Sequence, residues 1–177
     1  MKDNPEQQDT ANIGRYMIIG MWVTAMVLGT VLIHLHLERE RNPNNNLVTS
    51  LNGQQRSITL QRSRNGHYLV TGRINGTEAE FLVDTGATSV SIPVNIAQAA
   101  GLPRGAEFPV NTANGVGRVY ATEVSELQIG DFVVRDAIAH INPGLSGEVL
   151  LGMSVLRNFE LELRGDQLII RDPSPGN

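Results

Sequence analysis

Hydrophobic patterning divides the chain into one long apolar stretch near its start and a larger region of short alternating segments. Tyr16 to Ile33 contains no charged residue, and as a helix it would cover roughly 27 Å, close to the thickness of the hydrocarbon core of a bilayer. We therefore expect a transmembrane helix over 13–37, after a polar, disordered tail over 1–12. A cleavable signal peptide is the alternative, but His34 to Arg39 offers no small-residue cleavage site.

The stretch after this helix lacks hydrophobic periodicity. Residues 38–56 are rich in Asn, Gln and Gly, which predicts a flexible tether with a reach of roughly 20 to 25 Å. Apolar alternation resumes at Ser57, so we expect one folded domain over 57–173 and a short tail over 174–177.

Within this domain, short apolar runs are separated by turn signals. Three Asn-Gly pairs predict tight hairpins, at Asn65-Gly66, Asn75-Gly76 and Asn114-Gly115. A closing hairpin is expected over Gly165-Asp166, and short helical segments are expected at 93–100 and 154–158. Many short strands with little helix predict an all-β fold, a small and mostly antiparallel β-barrel.

One run of residues carries candidate chemistry. The apolar strand Phe81-Leu82-Val83 ends on Asp84, which is followed by Thr85, Gly86 and Ala87. Asp is rarely buried without a partner, so a carboxylate at the end of a buried strand suggests a function. An Asp-Thr-Gly triplet is also an ordinary turn sequence. A second apolar motif, Val149-Leu150-Leu151-Gly152, follows about 65 residues later.

Together the two motifs resemble those of the retroviral-type (retropepsin-like) aspartic peptidases, most closely their single-pass bacterial membrane relatives. The resemblance covers roughly 57–173 and implies a small closed β-barrel with one or two short helices. It implies that Asp84 is the catalytic residue, that Thr85, Gly86 and Ala87 form the active turn, and that Leu151 and Gly152 pack beneath that turn.

The resemblance also assigns a flap. The hairpin from Thr112 to Tyr120 is positioned like the family's flap, with Asn114, Gly115, Val116 and Gly117 as the substrate-binding residues at its tip. Such a hairpin closes over the substrate and excludes water. An ordinary β-hairpin is the alternative interpretation.

Metal-free peptide hydrolysis of this kind uses two carboxylates that share one proton. Asp131, Asp136 and Asp166 lack the Thr-Gly that follows Asp84, so one chain supplies half a site. The second half would come from a second copy of the chain, as the resemblance also implies. Ala87 has no hydroxyl to stabilise an ionised carboxylate, which predicts a mildly acidic optimum for cleavage.

Composition excludes several other functions. The formal net charge is -4, and Lys and Arg do not cluster, so no nucleic-acid partner is expected. The absence of Cys excludes thiol catalysis, and the four dispersed His residues predict no metal site. We expect no cofactor. The expected partners are a protein or peptide substrate, a second copy of the chain and a membrane.

Charges beside the apolar stretch do not choose an orientation, because Lys2 and Arg15 precede it and Arg39 and Arg41 follow it. The resemblance implies a single-pass protein of the bacterial inner membrane with a periplasmic catalytic domain. The leading hypothesis is a membrane-anchored homodimeric aspartic endopeptidase. The alternative is a non-catalytic binding or adaptor module built on the same barrel.

Overall fold

The structure is a computed structural model that describes residues 5–45, 47–52, 55–112 and 115–173. The chain divides into two compact units, Met1–Glu40 and Arg41–Asn177.

The first unit consists of the helix α1, which as a whole spans Pro5–Arg41. Within α1, Gly14–Leu37 has a mean hydropathy of 2.0 and is long and apolar enough to cross a membrane, so it is a candidate membrane span by length and composition. The helix extends beyond the predicted 13–37 at both ends. Gln, Glu, Ala and Arg in the flanking sequence are good helix formers, which explains why helix replaces the expected disordered tail from Pro5 onward.

The second unit is mostly β, as the sequence predicted. Its described residues form, in chain order, β1 Thr49–Asn52, β2 Gln55–Gln61, β3 Leu69–Ile74, β4 Thr77–Val83, β5 Val90–Pro93, α2 Val94–Ala99, β6 Glu107–Thr112, β7 Gly115–Ile129, β8 Phe132–Asn142, β9 Val149–Leu151, α3 Met153–Leu156, β10 Glu160–Arg164 and β11 Gln167–Arg171.

A closed barrel forms the centre of this unit. Its strands run in the order β3-β4-β9-β5-β8-β7, and pairing of β3 with β7 at Ile74↔Leu127 closes the ring, while β6 extends outward from β7. Most pairs are antiparallel, but β4–β9 and β5–β8 are parallel. Phe81, Ile92 and Val124 are fully buried within it. The predicted small, mostly antiparallel barrel is confirmed.

Two of the three predicted Asn-Gly hairpins have the expected strand pairs, and so does the closing hairpin, in which β10 and β11 pair on either side of Gly165-Asp166. Asn75 and Gly76 both adopt positive φ and join β3 to β4, as the tight turn requires. The strands β6 and β7 pair with the register Thr112↔Gly115, although Asn114 itself lies outside the described residues.

The prediction of a hairpin at Asn65-Gly66 is wrong. The turn forms, with Gly66 at a φ of 84°, but β2 and β3 belong to different sheets. β2 instead pairs with β11, placing Ile58 opposite Ile170 and Leu60 opposite Leu168, in a second sheet of order β1-β2-β11-β10. The turn reverses the chain, but burial against a strand more than a hundred residues away decides the partner.

The predicted tether over 38–56 also differs from the structure. Asn44 is only 4% exposed, and its side-chain amide donates to the carbonyls of Gln61 and Leu69 at 2.9 and 2.7 Å. Its Oδ1 accepts from the Gln61 backbone N–H at 2.7 Å. The folded unit therefore starts at Arg41 and not at Ser57. Asn is common in loops, which is why the sequence suggested a tether. Here the Asn44 side-chain amide takes the place of a strand partner for the backbone groups of Gln61 and Leu69.

We expect Asn44→Ala to lower the free energy of unfolding by about 2 kcal/mol or more, because three backbone groups lose a partner. For a chain of this size this corresponds to a fall in Tm of roughly 4 to 8 °C. Thermal denaturation of the full chain in detergent measures it. The exposed Asn158→Ala is the control, and equal Tm values for the two variants would contradict the prediction.

Candidate active site

Asp84 lies immediately after β4, where two parallel strands end together. The backbone N–H of Asp84 donates to the carbonyl of Leu151 at 3.1 Å, one step beyond the register pair Val83↔Leu151. On the other side of β4, the N–H of Val83 donates to the carbonyl of Tyr68 at 2.9 Å. Pairing on both sides fixes the backbone that carries the partly buried Asp84.

The turn after this strand holds the carboxylate. The Gly86 N–H donates to Asp84 Oδ1 at 2.9 Å, and the Ala87 N–H donates to the Asp84 carbonyl at 3.2 Å. Thr85 and Gly86 are exposed. One carboxylate oxygen is therefore oriented by the backbone at a surface-facing turn.

Gly86 does not need the left-handed backbone conformation that glycine tolerates best, because its φ lies outside that region. A Cβ at Gly86 would lie 3.1 Å from Asp84 Oδ1. The space needed by the carboxylate, and not an unusual φ, is what favours glycine here.

The second motif lies against this turn. The backbone N–H groups of Met153 and Ser154 donate to the carbonyls of Ala87 and Thr88 at 2.8 and 2.9 Å. A Cβ at Gly152 would lie 2.4 Å from the Ser89 carbonyl oxygen. Because that neighbour is backbone, only glycine allows the two segments to approach so closely.

Gly152→Ala should therefore destabilise the domain by about 1 to 3 kcal/mol or more, since the turn must shift to admit a methyl group. Gly117→Ala is the matched control for stability, because an added Cβ there would meet its nearest neighbour at 3.7 Å. Thermal denaturation compares the two variants. A Tm for Gly152→Ala within 1 or 2 °C (about 0.5 kcal/mol) of the control would contradict this account.

The candidate flap is the end of the β6–β7 hairpin. Gly115 has a φ of 106°, and its carbonyl accepts from the Thr112 hydroxyl at 2.8 Å. Val116 is 74% exposed and Gly117 lies beside it. An exposed apolar side chain at a hairpin end suits contact with another molecule. Asn114, the remaining predicted flap residue, lies outside the described residues.

The model of the gag-polyprotein putative aspartyl protease family matches residues 70–158, which include both motifs and the hairpin between them. The chain belongs to this retropepsin-like aspartic protease family.

Two curated bacterial proteins are similar in sequence to this chain. An uncharacterized protein from the cobV 5' region of Sinorhizobium sp is 35% identical over 131 residues, covering 71% of this chain and 56% of that protein. An uncharacterized protein of Rickettsia prowazekii is 29% identical over 112 residues, covering 58% of this chain and 46% of that protein. The chain thus spans about half the length of these curated relatives.

The fold itself is similar to that of a solved retropepsin-like aspartic protease from Rickettsia conorii. The TM-score is 0.57 at 24% sequence identity, and the match covers 72% of this chain and 94% of that chain. The predicted retropepsin-like fold is confirmed.

His140 lies close to the candidate active site, and the sequence analysis did not predict this. Its Nδ1 lies 2.9 Å from the Ser89 hydroxyl, and its ring meets the Phe108 ring edge-on with centroids 6.1 Å apart. Phe108 belongs to β6, so His140 connects the base of the candidate flap to the retropepsin-like active turn. A lone His among the apolar residues of β8 was the available signal.

Burial lowers the pKa of His140 below its ordinary value of 6.5. The unfolded chain then binds a proton at a higher pH than the folded chain does. The contribution of the neutral, buried His140 to the free energy of unfolding is therefore fully present above the ordinary pKa. It is lost as the pH falls toward the lowered pKa. We expect the Tm of the wild type to decrease more between pH 7.5 and pH 5 than that of His140→Asn, which does not titrate. Parallel Tm curves for the two proteins would rule this out.

Apolar side chains are exposed beside the active turn. Ile138 is 73% exposed and Met153 is 36% exposed. The Ser154 hydroxyl accepts from the N–H of Val90, the first residue of β5, at 3.3 Å and donates to the Ile138 carbonyl at 3.4 Å. The segments that carry these two exposed apolar residues are thus connected, and exposed apolar surface of this kind suits contact with another molecule.

Proposed function

We propose that this chain is an aspartic endopeptidase that hydrolyses peptide bonds in proteins with a water held between two Asp84 carboxylates of a homodimer. The observation that carries the proposal is the Asp-Thr-Gly turn fixed at the shared end of β4 and β9, in a retropepsin-like barrel. The protein would need no cofactor, because the two carboxylates supply both acid and base.

Three features support a dimer. The chain has one Asp-Thr-Gly sequence, so a two-carboxylate site needs a second copy. Thr85 is exposed at the tip of the turn, where its hydroxyl can bond across a two-fold axis. Ile138 and Met153 supply exposed apolar surface beside the turn that a partner would cover.

The chemistry follows from the shared proton. The ionised carboxylate takes a proton from the water while the water oxygen bonds to the carbonyl carbon of the substrate. At the same time the protonated carboxylate donates its proton to the carbonyl oxygen. The resulting gem-diol intermediate breaks its C–N bond as the amine nitrogen accepts the proton held by the first carboxylate. One of the two hydroxyls returns its proton to the second carboxylate, which leaves a carboxylic acid product and restores the starting pair. The hydrogen bond from the Gly86 N–H to Asp84 Oδ1 orients each carboxylate for these transfers. Gly115, Val116 and Gly117, with Asn114, would close over the substrate.

We further propose that Gly14–Leu37 anchors the protein in a bacterial inner membrane, with the protease domain in the periplasm. The length and apolarity of this stretch support a single span. Related proteins in Sinorhizobium and Rickettsia support a bacterial context. The periplasmic side rests on the resemblance to membrane-anchored relatives. Confinement of two chains to one membrane would favour dimer formation by raising their effective concentration.

Asp84→Asn should reduce cleavage at least about a hundredfold, because an amide cannot exchange the proton. The full chain in detergent is assayed on an unfolded protein substrate from pH 4 to 8, with and without a pepstatin-type inhibitor. Asp131→Asn, an exposed residue in the β7–β8 turn, is the control. A folded wild-type dimer without Asp84-dependent cleavage would contradict the proposal and favour a binding or adaptor role.

The pH profile tests the role of Ala87. A hydroxyl at this position can donate a hydrogen bond to the ionised carboxylate, which favours the ionised over the protonated form. Ala87→Ser should therefore move the acid limb of the profile to lower pH, while the wild type has a mildly acidic optimum. A wild-type optimum near pH 2, or an acid limb that Ala87→Ser leaves in place, would show that this position does not control the carboxylates.

A further inference from the structure

Two carboxylates lie side by side where the β4–β9 pairing begins, and the active turn follows the other end of that pairing. Glu80 precedes Phe81 on β4, and Glu148 precedes Val149 on β9, where Phe81 and Val149 are register partners in a parallel pair. Both Glu side chains are mostly buried, at 21% and 32% exposure. Like charges this close in a partly desolvated place repel each other.

One guanidinium bridges them. Arg41, the first residue of the folded unit, forms an ion pair with Glu80 and a second contact with Glu148 at 3.4 Å. Asn42 follows it and is only 3% exposed. The Asn42 amide donates to Glu80 Oε1 at 2.8 Å and to the Thr71 hydroxyl at 3.3 Å. The chain before the barrel is thus attached to β3, β4 and β9 together.

These same strands lead directly to the candidate active site. Asp84 lies four residues after Glu80, just beyond the end of β4. Gly152 likewise lies four residues after Glu148, with the three residues of β9 between them. The β4–β9 pairing ends in the hydrogen bond from the Asp84 N–H to the Leu151 carbonyl. Charge repulsion at one end of this three-residue pairing would weaken it along its length.

We propose that Arg41 is a positioning residue for the active turn: by bridging Glu80 and Glu148 it offsets their mutual repulsion, clamps β4 to β9 and holds Asp84 in place. The inference rests on the proposed function for its effect on cleavage, but its effect on the backbone does not. An exposed ion pair contributes little by itself. The bridge has a larger effect because its loss leaves two neighbouring carboxylates facing each other.

The test uses the full chain in detergent at a temperature where every variant is folded. Arg41→Ala should lower kcat by about tenfold with KM changed by less than about twofold, because a small misplacement of a reacting group slows chemistry. It should also speed hydrogen exchange of the Asp84 amide, measured on peptides spanning 81–86. Arg135→Ala, which removes an exposed ion pair with Glu126, should change neither quantity.

Rescue by charge separates positioning from general destabilisation. The double variant Arg41→Ala with Glu148→Gln should recover most of the lost kcat and the slow Asp84 exchange, because the repelling pair is gone. Arg41→Lys should fall between the wild type and Arg41→Ala. Exchange at Asp84 that is unchanged in Arg41→Ala would overturn the inference, and so would a loss of kcat that Glu148→Gln does not rescue.

The two proposals fail separately. If the wild type shows no cleavage that depends on Asp84, the proposed function fails. Hydrogen exchange of the Asp84 amide then still tests whether Arg41 clamps β4 to β9. Faster exchange in Arg41→Ala that Glu148→Gln reverses supports the clamp, and unchanged exchange overturns it.

Discussion

The backbone hydrogen bond from the Asp84 N–H to the Leu151 carbonyl, at 3.1 Å, attaches the residue that carries the carboxylate to the second sequence motif. It extends the parallel β4–β9 pairing to the residue that carries the carboxylate. The bonds from Met153 and Ser154 to the carbonyls of the turn continue the same contact. Because all three are backbone bonds, they require no particular side chain. They require only that the two backbone segments can approach each other closely. Gly152 allows this approach, since any side chain there would meet the Ser89 carbonyl.

The closed barrel makes so short a pairing sufficient. β9 has three residues, yet it lies between β4 and β5, so its backbone is paired on both sides. The remaining strands continue the ring to the β3–β7 pairing that closes it. A closed ring leaves β4 and β9 little freedom to separate, except at the end where Glu80 and Glu148 lie next to each other. Arg41 lies at that end, so the start of the folded unit and the candidate active site share one pair of strands.

Local signals in the sequence predicted the strands, the short helices and the position of Asp84, because these depend on neighbouring residues. They failed where partners are distant. The turn at Asn65-Gly66 formed, but β2 found its partner in β11, since Ile58 and Leu60 are buried there. Residues 41–45 have a loop composition, and only the barrel shows which backbone groups Asn44 completes. His140 and the Glu80–Glu148 pair were missed for the same reason, because each acquires its role from another strand.

The central claim is that two copies of Asp84 form one site, and mixing chains tests it most directly. Wild type and Asp84→Asn are combined in equal amounts in detergent, allowed to exchange partners, and assayed at fixed total concentration. If the site needs both carboxylates, only dimers of two wild-type chains cleave, and activity falls to about one quarter of that of pure wild type. If each chain acts alone, activity falls to about one half, as simple dilution requires, and the account of a shared site is contradicted.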